Sequence, residues 1–194
     1  MKKQFILTLF AVISSLTASY AQSSFAMEYA IGFGGETKSY VSTASFRGVM
    51  LEWKGYLQPN VSLGIDAGWN LFYEQRPYDT YTSGTASLSG KQYRTANAVP
   101  IYFTFNYFLQ PGEHLNPFVG AGVGTLYYHR NTDMGIFYFD EEAWHFSFKP
   151  EVGVLVNASP DMDFALSLKY FYGFETSNAG PESYFTFNVG FVFK

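Results

Sequence analysis

Along most of this chain, apolar and polar residues alternate one by one. From Tyr184 the sequence reads Tyr, Phe, Thr, Phe, Asn, Val, Gly, Phe, Val, Phe. Phe185, Phe187, Val189, Phe191 and Phe193 share one parity; Tyr184, Thr186, Asn188, Gly190 and Val192 share the other. A period of two is a strand signal, because successive side chains point to opposite faces. So apolar a terminal strand would template aggregation if its edges stayed free. Pairing it with the first strand closes a barrel, and turning its Phe face to lipid gives that face a solvent. Phe185, Phe187, Val189, Phe191 and Phe193 are therefore predicted to form a lipid-facing closing strand.

The same alternation predicts seven earlier strands. They cover roughly Met27–Gly35, Thr43–Leu57, a stretch from Val61, Gln92–Leu109, Pro117–Arg130, Glu142–Asn157 and Asp163–Phe174. Glu36 to Ser42, Glu74 to Lys91, Asn131 to Glu141 and Glu175 to Ser183 read as loops, the second being the longest. Gln58-Pro59-Asn60, Gln110 to Asn116 and Ser159-Pro160-Asp161 read as compact turns, from their Pro, Gly, Asn and Asp. Loops and turns alternate, as in membrane barrels with short periplasmic turns and longer external loops. Pro100 and Pro150 lack a ladder donor, so each predicts a local irregularity.

The opposite face separates a membrane barrel from a soluble one, which keeps its apolar side inward. Here that face is dominated by Gly, Ala, Ser and Asn, which suit a narrow interior. The aromatic face has no ionised residue across the middle of any strand, with Arg47 and His129 the nearest polar intrusions. A mid-bilayer Lys or Arg costs about 2–4 kcal/mol, so this absence is informative. Trp53, Trp69, Trp144, Tyr107, Tyr127 and Tyr170 lie on the aromatic face as candidate interface girdles. The predicted fold is an all-β, eight-stranded, antiparallel, up-and-down transmembrane β-barrel.

Composition agrees. Of 194 residues, 21% are aromatic and only 14% charged, against about 25% charged in soluble domains. Mean hydropathy is −0.04, so apolar residues are interleaved with polar ones, and past the leader no run is long enough for a spanning helix. Residues 1–21 read as a cleaved signal peptide: basic Lys2 and Lys3, apolar Phe5 to Ile13, and Ser19-Tyr20-Ala21 before the cut. Residues 22–194 are then one domain. Losing Lys2 and Lys3 takes the formal charge from −4 to −6, which argues against nucleic acid as a partner. With no cysteine, disulfides and thiolate chemistry are excluded.

The leader, Pro117-Phe118-Val119-Gly120-Ala121-Gly122-Val123-Gly124, Val99-Pro100-Ile101-Tyr102-Phe103 and the terminal Phe strand together resemble the small eight-stranded outer-membrane β-barrels, the OmpA/OmpX/OmpW-like group. The resemblance covers essentially the whole mature chain. It implies the outer membrane of a Gram-negative-type bacterium, with outer-membrane lipid and the barrel-insertion machinery as partners. It also implies a terminal aromatic residue that this machinery reads, and the ending Phe193-Lys194 departs from it.

Candidate chemistry lies on the inward parity. Glu28, Glu52, Asp66 and Glu151 share it with Lys54, Arg94, Lys149 and Lys169. Side chains fill an eight-stranded interior, and buried charges persist only when paired. These eight residues are predicted to form an interior ion-pair network that plugs the barrel; a selective pore is the alternative. Gly120-x-Gly122-x-Gly124 lacks the context of a phosphate loop. His145-Phe146-Ser147 could serve catalysis as in barrel lipid A deacylases, but its parity turns it from lipid and no orienting acid is evident. No metal-ligand spacing or cofactor motif is found. Tyr78, Tyr81, Phe137, Tyr138, Asp140, Glu141 and Glu142 on the loops suit protein or glycan contact. The expected function is non-enzymatic and structural or adhesive, with a narrow OmpW-like conduit as the rival and a lipid-modifying enzyme more distant.

Overall fold

A computed structural model describes residues 22–83, 86–135, 137–177 and 179–194. The predicted signal peptide lies outside these residues. Eight strands follow in order: β1 (Ser23–Gly34), β2 (Gly48–Gln58), β3 (Val61–Ser83), β4 (Ala86–Phe108), β5 (Leu115–Met134), β6 (Phe137–Ser159), β7 (Met162–Gly173) and β8 (Glu182–Phe193). Each pairs antiparallel with its sequence neighbours, and β1 with β8 closes the barrel. That seam runs from Phe25 opposite Phe193 to Gly34 opposite Tyr184. Along β8 the pattern is buried, exposed, buried without interruption from Tyr184, with Phe185, Phe187, Val189, Phe191 and Phe193 outside.

Strand lengths correct the sequence reading. Most of Glu74 to Lys91 is not a loop: β3 and β4 continue through it, pairing from Glu74 with Arg94 up to Ser83 with Ala86. Likewise Asn131 to Glu141 is largely strand, with Met134 opposite Phe137 at its tip. Ser, Thr, Gly and Tyr make these segments look like loops, yet Thr and Tyr are good strand formers when a neighbouring strand supplies partners. At these two hairpins the long end is built by strand extension, whereas the β1–β2 and β7–β8 connections are loops.

Both prolines interrupt one ladder without shifting it. Pro100 keeps its partner Leu126 on β5, while β3–β4 pairing skips from Ala67/Ile101 to Asn70/Ala98 in the same register. Pro150 stays opposite Ala121 on β5, and β6–β7 pairing skips from Phe148/Tyr172 to Glu151/Lys169. A missing N–H thus costs local pairs but no register.

Outside, Trp69, Tyr127 and Trp144 lie towards the long-hairpin end, Tyr127 directly opposite Trp144. The Trp69 indole donates to Asn97 at 3.1 Å, and the Tyr127 and Trp144 rings meet at 4.9 Å. Trp53 lies lower than a girdle there, between Phe25 and Ile65. Above Trp144 the outward face turns polar, with Glu142 bonded to the Tyr127 hydroxyl at 2.7 Å and Asp140 to His129. This change marks where an apolar phase would end.

Candidate functional site: the filled interior and the emergent sheet

The interior is stacked in layers. Towards the short turns, Tyr56, Phe108, Phe118, Leu155 and Ala165 form an apolar floor, under which an open cup of about 310 Å³ is lined partly by Pro59, Asp163 and Lys194. Towards the long hairpins, Met50, Phe72, Tyr102, Leu126, Phe171 and Tyr184 form an apolar ceiling. Charged side chains lie between these layers.

Lys169 Nζ approaches Glu28 at 2.7 Å, Asp66 at 3.3 Å, Glu52 at 3.7 Å and Glu151 at 4.0 Å. Lys149 binds Asp66 and, at 2.7 Å, Glu151. Lys54 pairs with Glu52 at 3.2 Å and faces the Phe118 ring at 5.1 Å. The register explains the convergence, because Glu52 lies opposite Asp66 and Glu151 opposite Lys169. Four carboxylates meet three ammonium groups. Neutral donors add to two of the carboxylates: Thr104 and Asn106 bond Glu52 at 3.2 and 3.1 Å, and Ser167 bonds Glu28 at 3.4 Å, while Asp66 Oδ1 and Glu151 Oε1 have no hydrogen-bond partner among the described residues. No sequence signal singled out these three donors.

Arg94 is not in this belt. It shares the inward parity but sits higher, opposite Glu74 and Thr132, where its guanidinium donates to Gln92 at 2.9 Å and to the Tyr40 carbonyl at 3.0 Å. Alternation reports the face of a residue and not its depth, and β4 is too long for the two to coincide. Burial, then the nearby Arg76, lower the Arg94 pKa.

Around Arg94 the β1–β2 connection covers the mouth. The Tyr40 ring lies 5.1 Å from the Arg94 guanidinium and 5.0 Å from that of Arg130. The Thr37 hydroxyl accepts from Tyr128 at 3.0 Å and donates to Glu182 at 3.3 Å. Glu182 pairs with Arg130. Apart from Arg94, the residues of the covered mouth were missed in the sequence because they come from three separate segments.

Other sequence candidates resolve structurally. His145 Nδ1 faces the Phe174 carbonyl at 2.9 Å, and Ser147 bonds the Tyr102 hydroxyl at 2.5 Å; both are buried. The two are held by different partners, and this does not build a nucleophile and base. Gly120 and Gly124 are close-approach positions, since a Cβ would meet Asn106 Oδ1 at 2.0 Å and the Ile101 carbonyl oxygen at 2.1 Å, respectively. Glu52, Asp66 and Glu151 bring ligand atoms within 4.8 Å of one another, a cluster that sequence spacing did not reveal. Lys149 and Lys169 already engage its oxygens.

These features define a transmembrane β-barrel of the small eight-stranded outer-membrane type. Among solved structures, the chain is similar to Neisserial surface protein A at 13% identity, covering 89% of this chain and 95% of that one, with a TM-score of 0.54. It is also similar to Ail, the attachment invasion locus protein of Yersinia pestis, solved in complex with the heparin analogue sucrose octasulfate. That match has 13% identity, covers 88% and 97% of the two chains, and has a TM-score of 0.51. No family model and no curated protein sequence matches.

Proposed function

We propose that this protein is a non-enzymatic outer-membrane anchor that holds a rigid sheet outside the cell for adhesive contact. The observation that carries this reading is the continuation of β3, β4, β5 and β6 beyond Trp69 and Trp144 as paired strands. Carrying these ladders on to Ser83/Ala86 and Met134/Phe137 is unnecessary for a barrel whose only task is to span. Exposed Tyr78, Tyr138 and Phe139 on these hairpins supply contact area that a spanning strand does not need. The burial of the charged belt supports the same reading against a conduit: its seven side chains expose at most 3% of their surface to solvent or internal void. External protein or glycan is the partner class, with outer-membrane lipid around the barrel.

Replacing residues 75–92 and 131–140 by short turns tests this. Cells bearing the trimmed chain should lose binding to host cells or matrix, while heat-dependent gel mobility still reports a folded barrel. Undiminished binding by the trimmed chain would overturn the adhesive reading.

A further inference from the structure

The emergent sheet has two lateral edges, and they are not alike. On the β3 side, β2 pairing stops at Gly48/Asn70, but the β1–β2 connection then straps the edge. Thr43 donates to the Tyr73 carbonyl at 2.7 Å, Ser45 to the Leu71 carbonyl at 2.5 Å, and the Ser42 amide to Glu74 at 2.5 Å. Further out, Pro77 removes a donor, and the register shifts between Arg76 and Asp79. Straps, a proline and a bulge are the usual ways to blunt an edge.

The β6 side has none of these. Its ladder with β7 ends at Ser147/Gly173, extended by one bond from the Phe174 amide to the Phe146 carbonyl at 2.9 Å. From Phe137 to His145, the β7 side of β6 has no backbone partner among the described residues. The stretch contains no proline and no lysine, and its register with β5 runs unbroken from Met134/Phe137 to Leu126/His145. It stands about 20 Å tall above Trp144 at the rise of a strand. At its base a cleft of about 290 Å³ opens between Glu142, Ala143 and Trp144 on one side and Thr176 and Ser177 on the other.

The charge on this edge selects its occupant. Asp140, Glu141 and Glu142 are consecutive, and Glu141 has no hydrogen-bond or ion-pair partner among the described residues. A second copy pairing antiparallel about Glu141 would set Glu141 against Glu141 and Asp140 against Glu142. Like charges directly opposite are unfavourable, so self-pairing is disfavoured. A strand with basic side chains meets the opposite condition on both of its faces, because the three acids alternate between the two faces of β6.

We propose that the Phe137–His145 edge of β6 is a β-augmentation site for an extended, proline-free polypeptide segment rich in Lys or Arg. This rests on the adhesive reading above and names its partner chemistry. Main-chain bonds supply affinity and the acids supply selection.

The test uses the mature chain in zwitterionic nanodiscs and a fluorescein-labelled nine-residue peptide of alternating Lys and Thr, followed by anisotropy. Saturable binding is expected. It should weaken about tenfold or more for the double variant Asp140→Lys, Glu142→Lys, and to a similar extent for Asp140→Asn, Glu142→Gln in low salt. It should also weaken about tenfold when alternate peptide amides are N-methylated, which removes ladder donors and keeps charge. Equal binding of the methylated peptide, or indifference to charge reversal in a chain that retains folded gel mobility, overturns the edge proposal. Cell binding separates the two readings. If it survives charge reversal but not hairpin trimming, the sheet is adhesive by another surface. If it survives trimming, the adhesive reading itself falls.

Discussion

Lys169 shows how single side chains hold this barrel shut. Its ammonium lies within 4.0 Å of four carboxylates in a site where it is 1% exposed. Taking such charges from water is costly, and their mutual attraction repays the cost only as a set. Lys169→Met should therefore leave Glu28 and Asp66 undercompensated and lower stability by about 3–5 kcal/mol. A urea titration of the refolded barrel followed by Trp fluorescence would register it, and an unchanged midpoint would deny Lys169 this central place. Glycines work at the same scale. At Gly122 a Cβ would lie 3.2 Å from both the Lys149 Cε and the Tyr102 Cβ, so its small size is what lets Tyr102 and Lys149 cross the lumen there.

At the scale of elements, the β1–β2 connection is tied to β3 through Glu74. Its carboxylate accepts from the Ser42 amide and, at 3.1 Å, from the Ser42 hydroxyl, and it pairs with Arg76 at 3.3 Å. Partial burial alone would raise its pKa, but the Ser42 bonds and Arg76 outweigh that and lower it below 4.5. The sign follows. A carboxyl depressed in the docked state binds its proton more weakly there than when released, so docking is favoured above about pH 4.5. That contribution fades as pH falls through the lower, docked value. The protection factor of the Ser42 amide, its exchange corrected for the intrinsic rate at each pH, should be high at neutral pH and fall below pH 4.5, and Glu74→Gln should weaken protection at neutral pH. Protection that is indifferent to pH would show that the strap does not depend on this carboxylate. The hairpins make the complementary point. Loop-like composition in Glu74 to Lys91 conceals strand because its partner, not its own propensity, decides its state.

For the whole molecule, an apolar floor, a charged belt and an apolar ceiling fill the lumen, and the β1–β2 connection covers one mouth. A barrel built this way should be electrically silent. Reconstituted in a planar bilayer, with folding checked beforehand by gel mobility, it should give no reproducible channel events. Steady conductance would favour the conduit, and substitutions at Lys149, Glu151 and Lys169 would then test the path.

What the sequence alone determined is what depends on parity. Period-two alternation sorted Phe185 to Phe193 from Tyr184 to Val192, and strand number, lipid face and inward charges followed from that sorting. These properties are local, because a side chain's face depends on its own position along a strand. Depth, pairing and strand length were decided only by the tertiary structure. Arg94 and Lys149 share a parity, yet one lies at the mouth and the other in the belt, since height in a sheared barrel depends on register with neighbours. Glu28 and Lys169 meet across 141 positions of sequence, and the free edge of β6 exists because β7 is shorter than β6. Such facts belong to relations between strands, which no single stretch of the chain carries.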